Sequence, residues 1–215
     1  MQDYTLIQGY PGSGKSSNIV FVARMLAALG KRVLITAYTH SAVDNCLLKL
    51  MDCGLGPSSD RKNSPSMIRI GDKSSVHPGV QPLLLSRVAS EMEFGPAAAA
   101  EDAMTPSAES LKRVLKEARI VGCSALKIPK SVLVGENFDV VIVDEAGQIS
   151  QPAILGAIAA ADRFVLVGDH LQLPPLVVSE AALEGGELFC LQSFCSNFYR
   201  IALTLPFSQA TELRC

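Results

Sequence analysis

Short apolar runs alternate with amphipathic stretches through most of the chain. The runs are rich in Val and Ile, which is typical of strands buried on both faces of a parallel sheet. They predict strands over residues 4–8, 32–37, 67–70, 120–123, 138–143 and 163–167. Between them, apolar residues recur every three or four positions, which predicts helices over residues 15–29, 42–53, 108–118 and 151–161. This alternation favours an α/β fold with a central parallel sheet.

Polar and glycine residues mark the ends of these elements. Gly30 and Gly54 follow the first two helices, where glycine commonly closes a helix. Ser41 and Ser150 precede later helices and are expected to be their N-caps. Residues 95–107 hold four consecutive alanines and two prolines. We therefore assign residues 95–107 to an insertion of low structural content, within a low-complexity insertion over about 85–107.

Composition and charge say more about the binding partners of the chain than about its fold. The chain has 215 residues, 48% of them apolar, which suits one large domain or one domain with an insertion. The net charge of −2 conceals an asymmetry. Residues 1–90 carry ten Lys or Arg against five Asp or Glu, and residues 91–215 carry nine against sixteen. A polyanionic partner is therefore expected to contact the N-terminal part.

The sequence has no signal of secretion or membrane insertion. Its start, MQDYTLIQGY, has no apolar segment of the kind that a signal peptide needs. Its apolar runs fall far short of the roughly 20 residues of a membrane helix. Six cysteines and three histidines have no zinc-ligand spacing. We therefore expect an intracellular, reduced protein with neither a structural zinc nor a disulfide framework.

The segment GYPGSGKS, residues 9–16, matches the phosphate-binding pattern GxxxxGK[ST] and lies between a predicted strand and a predicted helix. Glycines let the backbone curl so that its N–H groups surround phosphate oxygens, and the helix N-terminus adds positive charge. Lys15 is expected to reach the β- and γ-phosphates, and Ser16 to offer a hydroxyl to Mg²⁺. The predicted nucleotide-binding residues are Gly9, Pro11, Gly12, Ser13, Gly14, Lys15, Ser16 and Ser17.

Acidic and amide residues follow two later strands. Asp144 and Glu145 come directly after FDVVIV, and Asp169 and Gln172 lie in GDHLQLPP after the next strand. Because the carboxyl ends of parallel strands meet at one edge of the sheet, Asp144 is expected to lie beside Ser16. There Asp144 could hold Mg²⁺, and Glu145 could orient or deprotonate an attacking water. The amide of Gln172 could sense the γ-phosphate.

These motifs, in this order, resemble those of superfamily 1 helicases. YTHSAVDNCLLKL, DEAGQISQP and FVLVGDHLQLPPLV are similar to the helicase core of the eukaryotic DNA replication ATP-dependent helicase/nuclease family, and VHPGVQ fits the same pattern. That family belongs to superfamily 1B, moves 5′ to 3′ on single-stranded DNA and also carries a nuclease. The resemblance implies that residues 1–180 are a first RecA-like P-loop NTPase domain and that residues 181–215 are an unmatched tail.

The resemblance also implies roles for single residues. The catalytic set would be Lys15, Asp144, Glu145, Gln148 and Gln172. The Mg²⁺ that accompanies ATP would be held by Ser16 and Asp144. The contacts to the DNA backbone would be Thr39, His40, Ser41, Asn45 and Ser124. Hydroxyls at a helix N-terminus suit a backbone phosphate, although Ser41 equally suits an ordinary N-cap and His40 a surface turn.

Some features depart from the family pattern. Cys123 precedes Ser124 where the family has a threonine-rich motif, and the eight residues before Gly9 leave no room for the family's adenine-reading glutamine. The second RecA-like domain and the nuclease domain are expected to be missing. Arginines from such a second domain contribute about 10³–10⁵ in rate. The chain by itself is therefore expected to bind MgATP and to hydrolyse it poorly.

Other functions stay open at this point. A superfamily 1B RNA helicase fragment would carry the same motifs. A non-catalytic ATP-dependent interaction module would suit the unmatched tail, although the intact Glu145 argues against long decay. A small P-loop kinase would need an acceptor pocket and lid arginines, which the sequence does not suggest. By resemblance we expect a nuclear or organellar protein with single-stranded DNA, or RNA, as its partner and no membrane.

Overall fold

Parallel strands form one six-stranded sheet within the part of the chain that the computed structural model describes, residues 4–55, 66–96, 104–130 and 132–169. In chain order, the strands are β1 Tyr4–Gln8, β2 Val33–Ala37, β3 Met67–Ile70, β4 Ile120–Ser124, β5 Phe138–Asp144 and β6 Ala161–Gly168. The α-helices described are α1 Lys15–Ala28, α2 His40–Asp52, α3 Leu85–Phe94, α4 Ala108–Glu117 and α5 Gln151–Ile158. The predicted α/β fold with a central parallel sheet is confirmed.

The strand order, β1-β6-β5-β2-β4-β3, decides which loops meet. Gln8 of β1 pairs with Gly168 of β6, and Ala37 of β2 pairs with both Asp144 and Ser124. The carboxyl ends of five neighbouring strands therefore lie side by side. We call this the carboxyl edge, and in open parallel sheets it is where ligands bind.

Helices cover both faces of the sheet, which explains why its strands are almost continuously apolar. Successive side chains of a strand point to opposite faces. In β5, Val141 and Val143 join the core beneath α3, α4 and α5, whereas Val140 and Ile142 join the core beneath α1 and α2. The sheet is thus rigidly packed on both sides below the carboxyl edge.

Two predicted helix ends differ from the structure. The N-cap of α2 is Thr39, not Ser41: Thr39 is extended (φ −94°, ψ 149°), and its Oγ1 accepts a hydrogen bond from the N–H of Ala42 at 3.3 Å. A capping side chain reaches an N–H two or three residues ahead, so Ser41 lies inside the first turn. The helix predicted over 151–161 ends at Ile158, because Ala161 already pairs with Phe138 in the sheet.

The segment predicted to be a low-complexity insertion begins with a helix. In α3 the buried Leu85, Val88 and Ala89 recur at three- and four-residue spacing and join the core. The first part of the predicted insertion is therefore an ordered helix, and α3 ends at Phe94, before residues 95–107, for which low structural content is predicted. Residues 97–103 and the tail, 181–215, lie outside the described residues.

No membrane span is found among the helices of the described ranges. None of them combines the length and the apolar character that crossing a bilayer requires.

Candidate nucleotide site and adjoining groove

The loop between β1 and α1 is shaped by two glycines. Gly12 (φ 75°) and Gly14 (φ 84°) adopt the left-handed conformation, which residues with a side chain rarely adopt. The N–H of Ser13 donates to the C=O of Tyr10 at 3.1 Å, and the N–H of Gly9 donates to the C=O of Gly168 at 3.2 Å. Left-handed and turn conformations in succession direct N–H groups toward one concave side. This loop, with the start of α1 behind it, can therefore receive an anion.

Gly9 is required because the loop packs tightly against its own side chains. A Cβ at this position would lie 2.4 Å from Oγ of Ser13 and 3.0 Å from Cγ of Lys15. Contacts shorter than 3.0 Å force one of the atoms to move. A larger residue at position 9 would therefore disturb the placement of Lys15.

Replacing Gly9 with alanine is expected to weaken MgATP binding roughly fivefold. Overpacking costs about 1–3 kcal/mol, and the low end applies because the exposed Ser13 can move. Isothermal titration with MgATP would measure the change. The double variant Gly9→Ala/Ser13→Ala, compared with Ser13→Ala, should recover part of the loss. Equal affinities for Gly9→Ala and the unaltered chain would contradict this packing argument.

Lys15 is half-buried and is turned back onto its own loop. Its Nζ donates to the C=O of Gly9 at 2.8 Å and to the C=O of Tyr10 at 3.3 Å. An ammonium is a compact charge with three rotatable donors. It can therefore exchange these carbonyls for phosphate oxygens without a change in the backbone.

The other predicted loop residues lie around Lys15. Ser16 is half-buried and Ser17 is exposed, both in the first turn of α1, while Pro11 is exposed on the loop. The hydroxyl of Ser16 is thus at the N-terminal end of α1, directly after the concave β1–α1 loop.

Asp144 ends β5 and is buried beside α2. Its Oδ1 accepts a hydrogen bond from the N–H of Glu145 at 2.9 Å, and its Oδ2 accepts one from Sγ of Cys46 at 3.5 Å. Burial raises the pKa of this carboxyl, while the Glu145 N–H, the Cys46 thiol and the charge of Lys15 oppose the rise. A buried carboxylate of this kind is stabilised by a nearby cation.

Glu145 has an unusual backbone. With φ 51° and ψ 40°, it is the non-glycine residue at positive φ among those described. Such a conformation costs on the order of 1–3 kcal/mol and is concentrated at functional sites. Burial raises the pKa of the Glu145 carboxyl, and so do the charges of Asp144 and Asp169, whereas Lys15 lowers it. These four charged groups therefore share one electrostatic environment.

Lys15 and the two acids, Asp144 and Glu145, lie at the ends of different strands of the sheet: Lys15 follows β1, and Asp144 ends β5 with Glu145 directly after it. β6 lies between β1 and β5, so β5, which ends at Asp144, is not the direct neighbour of β1, the strand that leads into the β1–α1 loop. However, α1 crosses from β1 to β2 and packs against both β6 and β5 on the way. That crossover brings the start of α1 toward Asp144.

The remaining predicted catalytic residues are only partly described. Gln148 is half-buried and ends the short 3₁₀ turn Ala146–Gln148, where its N–H donates to the C=O of Glu145 at 2.9 Å. Asp169 is buried directly after β6. Gln172 lies outside the described residues.

A groove adjoins this site at the start of α2. It has a volume of about 450 Å³, and we call it the α2 groove. Its lining residues are His40, Ser41, Asp44, Asn45, Ser74, Ser75, Val76 and His77. The structure therefore brings three of the predicted DNA contacts, His40, Ser41 and Asn45, to one surface.

The other two predicted DNA contacts are placed differently. Thr39 is the N-cap of α2, so its Oγ1 already accepts a hydrogen bond from the N–H of Ala42. The same Oγ1 also accepts a hydrogen bond from the Ser41 hydroxyl at 3.3 Å. Ser124 ends β4 and is buried, 2% exposed, so its hydroxyl is covered by protein. The neighbouring Cys123 is also buried, and burial raises the pKa of its thiol to about 11.

Sequence reasoning missed the buried charges beneath the groove. Arg69 in β3 is 0% exposed, and its Nε donates to Oδ1 of Asp44 in α2 at 2.7 Å. A detectable signal existed: Arg69 interrupts the apolar run MIRI, and Asp44 lies between Val43 and Cys46 on the buried face of α2. When two buried elements each carry one charged residue of opposite sign, the two side chains are expected to form an ion pair.

The family of the chain follows from a comparison with known domain families. A family model described as "AAA domain" matches residues 1–105 and 97–180. The chain belongs to this AAA domain family. The matched range includes the β1–α1 loop, Asp144 and Glu145 of this AAA domain.

Curated relatives confirm the resemblance drawn from the motifs. The DNA replication ATP-dependent helicase/nuclease of Xenopus laevis is 41% identical over 185 residues, which cover 86% of this chain and 16% of that protein. The protein of the same type in Saccharomyces cerevisiae is 39% identical over 199 residues, which cover 91% of this chain and 11% of that protein. This AAA domain chain thus spans less than a fifth of the length of either relative.

Solved structures include a helicase similar to this AAA domain chain. The complex of arterivirus nonstructural protein 10 with DNA aligns with a TM-score of 0.45 and 18% identity. The alignment covers 81% of this chain and 30% of that chain.

Proposed function

We propose that this chain is the MgATP-binding part of a 5′ to 3′ DNA helicase of the helicase/nuclease type, acting in DNA replication and repair in the nucleus. The observation that carries the proposal is the shared environment of Lys15, Asp144 and Glu145 at the carboxyl edge. A phosphate loop facing two acids after a buried strand suits phosphoryl transfer from a nucleotide. The names of the curated relatives support the choice of DNA helicase.

The residues at this edge fit a magnesium-bound triphosphate. Mg²⁺ prefers oxygen ligands, and the Asp144 carboxylate and the Ser16 hydroxyl are oxygen donors. MgATP would supply the phosphoanhydride bond that is hydrolysed. Lys15 would leave the carbonyls of Gly9 and Tyr10 for phosphate oxygens, while the backbone from Gly9 to Ser17 surrounds the phosphates.

Water activation is assigned to the residues after β5. Glu145 would orient the attacking water and accept its proton, because its carboxylate is half-buried and its backbone is held in the left-handed conformation. Gln148, three residues on, would contact the water or the γ-phosphate. We assign the same role to Gln172, as the family resemblance implies.

Single-stranded DNA is proposed to contact the α2 groove. His40, Ser41 and Asn45 line it with hydrogen-bond donors. The positive balance of residues 1–90 favours a polyanion on this part of the chain. RNA of matched sequence, used as a competitor, would separate a DNA helicase from an RNA helicase.

Assayed by itself, the 215-residue chain is expected to bind MgATP and to hydrolyse it near the background rate. Helicases of this kind complete the site with arginines from a second RecA-like domain, which contribute about 10³–10⁵ in rate. Nucleotide titration and phosphate release, each with and without oligo-dT, would measure both properties, with Glu145→Gln as the control for hydrolysis. Absence of MgATP binding would refute the proposed function. Strong DNA-stimulated hydrolysis would refute the need for a second domain.

A further inference from the structure

A buried ion pair supports both walls of the α2 groove. Nε of Arg69 donates to Oδ1 of Asp44 at 2.7 Å, and the other carboxylate oxygen, Oδ2, accepts a hydrogen bond from the N–H of His77 at 2.8 Å. Asp44 belongs to α2, whereas His77 belongs to the segment that follows β3. One carboxylate therefore ties the two walls together, and Arg69 fixes that carboxylate from below.

The remaining donors of Arg69 fix its orientation and the state of His40. One terminal nitrogen donates to the C=O of Ile70 at 2.6 Å, and the other lies 3.2 Å from Nδ1 of His40. A guanidinium donates hydrogen bonds, accepts none and stays protonated in proteins. Nδ1 of His40 must therefore be the acceptor, and the ring is neutral with its proton on Nε2.

The electrostatic surroundings of His40 agree with a neutral ring. Burial lowers the pKa of His40, and the positive charges of Arg69 and Lys127 lower it further. The negative charges of Asp44 and Asp72 act in the opposite direction and are outweighed. These are the charged groups that face the ring from α2, from β3 and the segment after it, and from the turn after β4.

The second wall carries a histidine whose Nδ1 is also occupied. Nδ1 of His77 accepts a hydrogen bond from the N–H of Gly79 at 3.1 Å, and a backbone N–H cannot accept in return. Nε2 is therefore the donor that His77 can offer to a ligand. With the hydroxyls of Ser41, Ser74 and Ser75, the groove offers hydrogen-bond donors on both walls. Such a lining suits acceptor oxygens, such as those of a phosphodiester backbone.

We propose that Arg69 and Asp44 are positioning residues for the DNA contact: they hold His40 as a neutral Nε2–H donor to a backbone phosphate oxygen of single-stranded DNA in the α2 groove. The inference rests on the proposed function, because it takes single-stranded DNA as the ligand of this groove. It goes beyond that function in two respects: it specifies the tautomer in which His40 contacts DNA, and it identifies the buried ion pair that imposes this tautomer. The ion pair itself touches no DNA.

The tautomer of His40 can be read directly in the 215-residue chain. Long-range ¹H–¹⁵N correlation spectra of the imidazole rings distinguish the Nε2–H form from the Nδ1–H form and from imidazolium. We expect the Nε2–H form at neutral pH in the unaltered chain. Arg69→Lys keeps a positive charge beside Asp44, but a lysine lacks the planar guanidinium that donates to Asp44 and to Nδ1 of His40 at the same time. We therefore expect a mixture of His40 tautomers in this variant. Arg113→Lys, an exposed arginine of α4, is the matched control and should leave the spectrum unchanged.

Binding of fluorescein-labelled oligo-dT over a salt series tests the role of the ring. A neutral hydrogen bond contributes about 0.5–1.5 kcal/mol, so Arg69→Lys and His40→Asn should each weaken binding roughly 2- to 12-fold. His40→Gln, whose amide reaches the Nε2 position, should lose less than His40→Asn. Because the donor is neutral, these variants should keep the salt slope. Loss of an imidazolium contact would reduce the slope by about 0.7.

The outcomes separate this inference from the proposed function. If the unaltered chain does not bind oligo-dT, the DNA part of the proposed function fails and the inference fails with it. If the chain binds oligo-dT but His40 is found as imidazolium or as the Nδ1–H form, only the inference is overturned. The inference is likewise overturned if Arg69→Lys, with an unchanged circular dichroism spectrum, binds like the unaltered chain. Arg113→Lys serves as the control in each assay.

Discussion

Replacing Lys15 with alanine is expected to lower the affinity of the chain for MgATP roughly 10- to 100-fold. Hydrogen bonds to charged groups contribute about 1.5–3 kcal/mol, and the ammonium of Lys15 is already held at the mouth of the phosphate loop by Gly9 and Tyr10. Fluorescence titration with a labelled ATP analogue in the presence of Mg²⁺ would measure the loss.

Two controls make the Lys15 result specific. Lys112→Ala removes an exposed lysine on α4, on the opposite face of the sheet from α1, and should leave the affinity unchanged. Thermal unfolding should show that Lys15→Ala keeps its fold, since the alanine loses only hydrogen bonds within the loop. An unchanged titration for Lys15→Ala would remove Lys15 from the nucleotide site. An equal loss for both variants would mean that the effect is one of general charge.

Replacing Arg69 with methionine is expected to lower the free energy of unfolding by about 3–5 kcal/mol, because it leaves the carboxylate of Asp44 buried without its cation. Asp44 is 2% exposed, so water cannot replace the lost partner. Urea unfolding followed by far-UV circular dichroism would measure the change. A chain of this size has a small margin of stability, so a large fraction of it would be lost.

The double variant Arg69→Met/Asp44→Leu tests the cause. Replacing a buried ion pair with apolar residues of similar volume is often neutral or stabilising, so this variant should recover most of the loss. Arg113→Met breaks an exposed pair with Glu117 and should cost at most about 0.5 kcal/mol. If the double variant is no more stable than Arg69→Met, the unpaired Asp44 is not the source of the destabilisation.

The parallel sheet and the shape of the loop at the candidate nucleotide site could be predicted from the sequence, because each rests on a local pattern with a single physical cause. The side chains of an apolar strand such as FDVVIV can all be buried only in a sheet that is covered on both faces. Glycines before Lys15 are required by positive φ and by close packing, as Gly9 and Gly12 illustrate. The acids after β5 then follow from the shared carboxyl edge.

The groove could not be predicted because its causes are not local. Arg69 and Asp44 are separated by 25 residues. Each interrupts an apolar pattern, but the sequence does not say that the two side chains meet. The choice of Thr39 over Ser41 as N-cap depends on where the chain leaves β2, which fixes the extended conformation of Thr39. For α3, the alanines and prolines that follow it obscure the spacing of its own apolar residues.

α2 connects the α2 groove with the carboxyl edge. His40 opens the helix beside the groove, and Cys46, six residues on, donates to the carboxylate of Asp144. Six residues of α-helix span about 9 Å, so one regular helix joins the ring to the thiol. On the proposed function, DNA in the α2 groove and a nucleotide at the carboxyl edge would both contact α2, and any coupling between their affinities would have the same size in both directions.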